Sequence, residues 1–595
     1  MNQQLSALLI KRRNFIATII ILPLGVVGLR FFQFQVLHHD RYVAYAEDNS
    51  IREVRLPAPR GMMFDRNGDF LVTNRPQYSL SVIPAEVRHS LAELEELDRY
   101  LEITEEDIHR IIEEADEPYQ RFQPVTLYDN VSFPQRSYLE EHRLEFPGIF
   151  FVDRAIRHYP SRARATHLIG YLRNVSTDDY EQYRNQGYHL GDVVGSAGLE
   201  KHYEQFLRGE DGYRYHLVDY LLRDLGEVTE KPAVRPVPGQ DLHLALDIDL
   251  QALGEMIMEG RRGALITMEP NTGEVLTYVS APDYVLAPFT GPIPIPLWEQ
   301  WRDHPDKILL DRVKNGLYPP GSIFKLVAVA AALAGGQVDP EATVECNGIY
   351  RFGNRLFHCN IWPGHGHVNM EDAVRVSCNI YFYKLIQWIG FDAWAEMARE
   401  FGFGSPTGVD LPQESVGLVP TPEYMDRKYA DEGWTAGHLL NLVLGQGDIL
   451  VTPLQITRMT AAIANGGRLV VPKLVISPRL KEVREKVIDL PPWIWSYMQQ
   501  ALYQVINGEK GTGFRARVEG GAIYGKTGTA QNPHGEAHSW FSGFVKTRSG
   551  RELVVTVLVE QGGLGSRTAA PLAAEIFRHF IERDSDAGED LAQIP

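Results

Sequence analysis

Cysteine is nearly missing from this chain. Three in 595 residues are too few for a disulfide-built scaffold. Positive charge is in deficit as well: 59 Lys and Arg stand against 77 Asp and Glu, a net charge of −18. A chain this acidic lacks the overall field of a nucleic-acid binder, so no nucleic-acid partner is expected. Long apolar runs are scarce, and after residue 37 none approaches membrane length. No internal repeat is visible. What remains is ordinary for a folded protein, with 44% hydrophobic and 23% charged residues. The length calls for more than one domain.

The one long apolar run is residues 15–37, FIATIIILPLGVVGLRFFQFQVL. At about 1.5 Å of rise per residue it spans roughly 30–35 Å, enough to cross a bilayer. Arg30, Gln33 and Gln35 interrupt its outer end, where an arginine can snorkel or face a partner helix. Lys11, Arg12 and Arg13 precede it, which predicts a cytoplasmic N-terminus. A cleaved signal peptide is the rival reading, but the run is long and no small-residue cleavage site follows. The expectation is a single-pass anchor in the cytoplasmic membrane with the bulk of the chain outside it.

Residues 38–240 read differently from the rest. The stretch 60–82 predicts short strands around an Asn67-Gly68 turn. Residues 91–116 are Glu-rich and predict a solvated helix pair. The Pro-rich passage 231–239, KPAVRPVPG, predicts a linker. Beyond it a helix is expected over 247–260, then a hairpin of strands 263–269 and 275–280 around Pro270-Asn271-Thr272-Gly273. The run 324–333 is apolar all round, so it predicts a buried helix. Strand-like runs follow at 522–529, 540–546 and 553–560, and then a last helix over 569–582. Strands at both ends of a domain predict one antiparallel sheet closed by distant segments, with helices packed on it. The expected organisation is a tail (1–14), an anchor (15–37), a first outer domain (38–240), a second outer domain (241–585) and a short C-terminal tail (586–595).

Three motifs lie in the last large domain. The first is Pro319-Pro320-Gly321-Ser322-Ile323-Phe324-Lys325. Residues i and i+3 share a helix face, so Lys325 Nζ is expected within reach of Ser322 Oγ. A serine hydroxyl is a poor nucleophile until a base takes its proton, and a neutral lysine can do that. Burial and a second cation nearby are both expected to lower the Lys325 pKa. Taken alone, Ser-x-x-Lys reads as a helix cap with Ser322 as N-cap. The second is Ser377-Cys378-Asn379, whose hydroxyl could relay a proton and whose amide could bind a peptide group. Taken alone it reads as a turn. The third is Lys526-Thr527-Gly528-Thr529 on a predicted strand. Its glycine lets a ligand backbone lie along the strand edge. Its lysine and threonines offer charge and hydrogen bonds to a carboxylate.

In this order the three motifs resemble the signature set of penicillin-binding proteins and serine β-lactamases. Leu317-Tyr318-Pro319-Pro320-Gly321, Leu444-Gly445-Gln446-Gly447 and Val451-Thr452-Pro453-Leu454-Gln455 narrow the likeness to the high-molecular-weight transpeptidases. Arg60-Gly61, Asp65-Arg66-Asn67-Gly68 and Gly195-Ser196-Ala197-Gly198-Leu199-Glu200 resemble the pedestal of the class B enzymes. His167-Leu168-Ile169-Gly170-Tyr171 and the segment 261–282 are similar to the elongation type. The resemblance implies an α/β (α+β) transpeptidase domain on an elongated pedestal of dimerisation type.

It also implies a peptidoglycan D,D-transpeptidase that crosslinks stem peptides during elongation and rod-shape maintenance. Ser322 would be the nucleophile and Lys325 its base, with Ser377 and Lys526 handling the leaving-group proton. Asn379 would position the donor peptide, while Thr527, Gly528 and Thr529 meet the terminal carboxylate and strand edge. Backbone N–H groups of Ser322 and Thr529 would form the oxyanion hole. β-Lactams would acylate the same serine, and no cofactor is required for the chemistry. Implied partners are nascent peptidoglycan strands, a SEDS-family polymerase of the rod-shape type and scaffold proteins of the elongation complex. A D,D-carboxypeptidase, a division-specific transpeptidase, a β-lactamase and a non-enzymatic β-lactam sensor are the alternatives. A sensor would want several membrane spans and a cytoplasmic signalling portion, and a β-lactamase needs neither anchor nor pedestal.

The three cysteines, Cys346, Cys359 and Cys378, fall close together with His358, His365 and His367. Three thiolates and one imidazole suit a closed structural zinc site. His365, six residues past Cys359 and between two glycines, is the preferred fourth ligand, with His358 and His367 as alternatives. In an extended segment Cys378 would point away from the pocket lined by Ser377 and Asn379, so zinc would brace that motif from behind. A Cys346–Cys359 disulfide or three inert buried thiols are the competing readings.

Overall fold

The computed structural model describes residues 2–39, 51–82, 101, 125–142, 149–188, 192–218, 224–228, 231–290, 293–431, 433–477 and 485–592. The Glu-rich segment 91–116 lies outside the described residues, apart from Leu101. The N-terminal helix runs Asn2–Phe32 and continues as a π-helical turn, Gln33–Leu37. Its part Leu9–Leu37 is the one helix among the described residues long and apolar enough to cross a membrane.

The chain packs into two units. One comprises 1–59, 76–155 and 209–238. It holds the antiparallel pairing of Ile51–Leu56 with Gly212–Val218, which in turn pairs with Asp224–Glu227. The other comprises 60–75, 156–208 and 239–595. Segments 60–75 and 156–208, read from sequence as pedestal, thus pack with the catalytic unit. Buried polar bonds hold them there. Tyr203 Oη donates to Asp410 Oδ2 at 2.9 Å, and the same carboxylate accepts from the N–H groups of Leu474 and Val475. The two segments are joined to each other by Glu200, which is fully buried and bridges Arg60 (2.7 Å) and Arg157 (2.8 Å). Burial alone would push the Glu200 carboxyl up, but the two guanidinium groups outweigh it and hold it below the usual carboxylate range.

Five strands form the central sheet of this unit: β1 (Gly263–Met268), β2 (Val275–Ala281), β3 (Gly521–Ala530), β4 (His538–Thr547) and β5 (Glu552–Val559). Their order is β2-β1-β5-β4-β3 and every pairing is antiparallel. The β1–β5 pairing, Gly263↔Val559 to Met268↔Val554, closes the sheet from distant segments as expected. β1 and β2 are buried at every position, because helices cover both faces and leave no side for polar alternation.

Helix α1 (Ile248–Ile257) starts at the Asp247 N-cap, whose carboxylate accepts from the N–H groups of Asp249 and Leu250. α2 (Lys325–Gly335) is buried from Lys325 to Leu333 and stops at Gly336, which adopts φ +62°. α3 (Met370–Arg375) and α4 (Asn379–Glu400) follow in quick succession. α5 (Pro453–Ala464) is buried along its whole length. Its start combines a Thr452–Gln455 capping box with Pro453 in the first turn, so its orphan N–H groups are satisfied without water. Thr460 on it shares a hydroxyl contact of 2.7 Å with Ser542 of β4. α6 (Pro492–Asn507) packs along β3, and α7 (Ala569–Ala592) along β4 and β5. β3 is thereby left at the sheet edge, beside the turn that opens α2.

Candidate active site

The turn Gly321–Phe324 is a 3-10 helix leading into α2. Gly321 adopts φ +57°, and a Cβ there would come 2.9 Å from the Thr529 carbonyl oxygen. Glycine is therefore required both for the conformation and for the approach of Ser322 to the edge of β3. Ser322 is half-buried, while Lys325 and Lys526 are fully buried.

Ser377 reaches the same place by a different route. α3 ends in a Schellman motif: the Ser377 N–H donates to the Val374 carbonyl (3.2 Å) and the Cys378 N–H to that of Ala373 (2.9 Å). The left-handed residue such a motif needs is usually glycine. Here it is Ser377 at φ +56°, which costs about 1–2 kcal/mol. The strain aims the hydroxyl between the two buried amines. Lys325 Nζ donates to Asn379 Oδ1 (2.8 Å), the Ser377 carbonyl (2.9 Å) and Ser377 Oγ (3.2 Å). Lys526 Nζ donates to the Thr527 carbonyl (3.0 Å) and to Ser377 Oγ (3.1 Å).

Two expectations need correcting. Lys325 Nζ bonds to Ser377 and Asn379, and no hydrogen bond to Ser322 Oγ is found among the described residues. An ammonium has three protons to place and here finds three acceptors. Only the neutral amine has a lone pair for the Ser322 proton. Second, burial lowers the Lys325 pKa to about 8, but the neighbouring cation acts on the other lysine. Burial and then the charge of Lys325 pull Lys526 well below the ordinary lysine value.

Around this core both ends of the Asn379 amide are engaged, since its Nδ2 donates to the His358 carbonyl at 3.2 Å. Thr527 Oγ1 donates to Thr512 Oγ1 (3.1 Å), and Thr512 donates through N–H (3.3 Å) and hydroxyl (3.4 Å) to the Arg375 carbonyl. Thr512 thus links the strand motif to the end of α3. It was missed in the sequence, where a threonine between Gly511 and Gly513 was the available signal. Thr529 Oγ1 accepts from the Gly565 N–H at 3.2 Å. A Cβ on Gly528 would come 3.0 Å from Trp540 and 3.1 Å from the Pro320 carbonyl oxygen.

Behind Ser377, Cys346, Cys359, His365 and Cys378 bring their ligand atoms within 4.8 Å of one another. All three cysteines are free, so no disulfide joins Cys346 to Cys359. His365 Nδ1 lies 3.5 Å from Cys346 Sγ and 3.4 Å from Cys359 Sγ, and Cys359 Sγ lies 3.9 Å from Cys378 Sγ. A tetrahedral zinc with Zn–S of about 2.3 Å and Zn–N of about 2.0 Å separates two sulfurs by about 3.8 Å and sulfur from nitrogen by about 3.5 Å. The donor types suit that ion, and these three spacings fall near its values. Hydrogen bonding from Cys378 favours the Cys359 thiolate, and the same contact pushes the Cys378 thiol up. Cys378 takes an extended conformation, φ −63° and ψ 113°, and its sulfur joins this cluster while Ser377 and Asn379 face the lysines.

Comparison with known proteins shows which family the chain belongs to. Residues 263–582 match the model of the penicillin binding protein transpeptidase domain, and 55–244 that of the penicillin-binding protein dimerisation domain. The peptidoglycan D,D-transpeptidase MrdA of Acinetobacter baumannii is 31% identical over 595 residues, covering 95% of this chain and 87% of that protein. Among solved structures, PBP2 of Helicobacter pylori in its complex with MreC superposes with TM-score 0.78 at 28% identity, over 89% of this chain and 99% of that one. A chain from a peptidoglycan synthase complex, solved for the structural coordination of polymerization and crosslinking, gives TM-score 0.70 at 30% identity, over 95% of this chain and 97% of that one.

Proposed function

We propose a mechanism for this chain, which belongs to the family of penicillin-binding protein transpeptidases that carry a dimerisation domain. It is a peptidoglycan D,D-transpeptidase of the PBP2 type, acting in cell elongation through a serine acyl-enzyme. The observation that carries the mechanism is the single Ser377 hydroxyl held by two fully buried lysines, one of them three residues beyond Ser322. Neutral Lys325 takes the Ser322 proton as Oγ attacks the carbonyl between the last two D-alanines of a stem peptide. Backbone N–H groups of Ser322 and Thr529 receive the charge that develops on the carbonyl oxygen, a preorganised contribution of several kcal/mol, on the order of 3–4 per donor. The tetrahedral intermediate collapses and expels D-alanine, whose nitrogen takes a proton through Ser377 and Lys526. An amine from a neighbouring strand then attacks the Ser322 ester and gives up a proton to the lysine–serine pair. Lys325 returns a proton to Ser322 Oγ as the C–O bond breaks, and the new amide is the crosslink. Asn379 positions the donor peptide. Thr527, Gly528 and Thr529 engage its terminal carboxylate and lay it along the edge of β3.

Cys346, Cys359, His365 and Cys378 would hold a structural zinc that braces the Ser377–Asn379 turn, and no step above passes through it. The N-terminal helix anchors the chain with its first residues in the cytoplasm, and the rest works outside the cytoplasmic membrane. The likeness to a PBP2 that binds MreC and to a peptidoglycan synthase chain supports a SEDS-family polymerase and elongation scaffold proteins as partners.

The test is incubation with fluorescent penicillin, and separately with a D-alanyl-D-alanine stem peptide plus an amine acceptor. A persistent penicilloyl adduct and a crosslinked product are expected. Rapid turnover of the antibiotic, or release of D-alanine to water alone, would instead indicate a lactamase or a carboxypeptidase.

A further inference from the structure

The Leu444-Gly445-Gln446-Gly447 run has no role in the chemistry above, yet it touches both walls of the proposed oxyanion hole. The Gly321 N–H donates to the Gly445 carbonyl at 2.9 Å. A Cβ on Gly445, which adopts φ +71°, would collide with the carbonyl oxygen of Gly321. The backbone of residue 445 therefore lies directly against the residue preceding Ser322.

The next side chain reaches the other wall. Gln446 Nε2 donates to the Thr529 carbonyl at 3.1 Å, and Gln446 Oε1 accepts from the Gln531 N–H at 3.2 Å. One primary amide thus pairs a donor and an acceptor with Thr529 of β3 and with Gln531 just past its end, as a peptide group of a neighbouring strand would. It occupies the end of that edge and stops an added peptide strand from sliding past Thr529. Thr529 is also held through its hydroxyl by Gly565.

We propose that Gln446 is a positioning residue that, together with Gly445, sets the spacing between the Ser322 and Thr529 N–H groups and fixes where a donor peptide ends on β3. Its amide acts on the reaction through Thr529 and makes no bond to the reacting atoms. An oxyanion hole is worth most when its donors need no rearrangement during reaction. A clamp that spans both donors supplies that rigidity.

The inference rests on Ser322 being the nucleophile, and the test keeps the two apart. Acylation of the full-length chain in detergent by a fluorescent penicillin is followed over a range of concentrations, separating the pre-covalent dissociation constant from the first-order acylation rate per labelled site. Gln446→Glu keeps an acceptor for the Gln531 N–H but faces the Thr529 carbonyl with a carboxylate. Gln446→Met keeps the volume and loses both bonds. Both are expected to slow the first-order step about tenfold or more with the dissociation constant changed less than about twofold. A rate within about twofold of wild type in both variants would overturn the inference. So would a smaller labelled fraction whose surviving sites react at full speed, since that is loss of folded protein alone. Failure of wild type to label at Ser322 would strike the nucleophile assignment itself and take the inference with it.

Discussion

Ser377 Oγ lies 3.2 Å from Lys325 Nζ and 3.1 Å from Lys526 Nζ, so one hydroxyl serves two buried amines. Neither amine makes an ion pair among the described residues. Burial disfavours the charged form of both amines, and the charge of Lys325 disfavours it further at Lys526, so a neutral lysine is available at ordinary pH.

The first consequence is a pH profile. With the Lys325 pKa near 8, about a tenth of this amine is neutral at pH 7, against about four in ten thousand for an ordinary lysine. The base must be neutral to accept the Ser322 proton, so the acylation rate rises with pH and levels off above a midpoint near 8. A stopped-flow profile with penicillin checks this, and a flat rate between about pH 6.5 and 9.5 would contradict the role of Lys325.

Backbone strain and chemistry separate at residue 377. Ser377→Gly removes the hydroxyl and relieves the left-handed conformation, a gain that offsets the lost hydrogen bonds. The variant is expected to keep its Tm within about 3 °C of wild type while crosslinking falls roughly 100- to 1000-fold. Equal losses in Tm and activity would reduce Ser377 to a structural turn.

The Cys/His cluster has its own readout. Elemental analysis of the protein purified without chelator is expected to give one zinc per chain, and Cys359→Ser or His365→Ala to abolish it. A strong chelator should lower Tm in wild type and leave it unchanged in those variants. Absence of bound metal with three titratable thiols would show that the cluster is a set of packed side chains.

Far from the chemistry, Glu200 neutralises two arginines. Glu200→Gln leaves Arg157 without its buried counter-charge and Arg60 with Glu204 alone, and is expected to cost about 3–5 kcal/mol of stability by denaturant unfolding. Because the Glu200 carboxyl is held below the usual range, its contribution is present above about pH 4.3 and is lost as pH falls through the folded-state value. The variant's stability should therefore fall less steeply in acid than that of wild type. Acylation per folded molecule should be unchanged.

Much of this was legible in the sequence because it is local. The strands of the central sheet announce themselves by composition and by the turn between residues 268 and 275. The three motifs are recognised by residue type and order, and the four clustered Cys/His residues by their spacing. What was not legible depends on meetings between distant residues. Nothing near Lys325 in the chain shows that its amine prefers Ser377 and Asn379 to Ser322, since both acceptors arrive through a Schellman turn some fifty residues on. Nothing in the acidic residues around position 200 singles out Glu200 as the partner of Arg60 and Arg157. Segments 60–75 and 156–208 look like the rest of the first domain in composition, and only their buried bonds to the region after 239 reveal where they pack. Thr512 is an ordinary polar residue until β3 comes alongside it, and Gln446 stands out in the sequence only as part of a motif whose role the sequence does not show.

The account depends most on Ser322, and the intact mass of the protein after β-lactam treatment tests it directly. Wild type should gain the mass of one antibiotic, mapped to Ser322 by peptide sequencing, and Ser322→Ala should gain none. Full labelling of the Ser322→Ala variant, or an adduct on any other residue of the wild type, would contradict the mechanism.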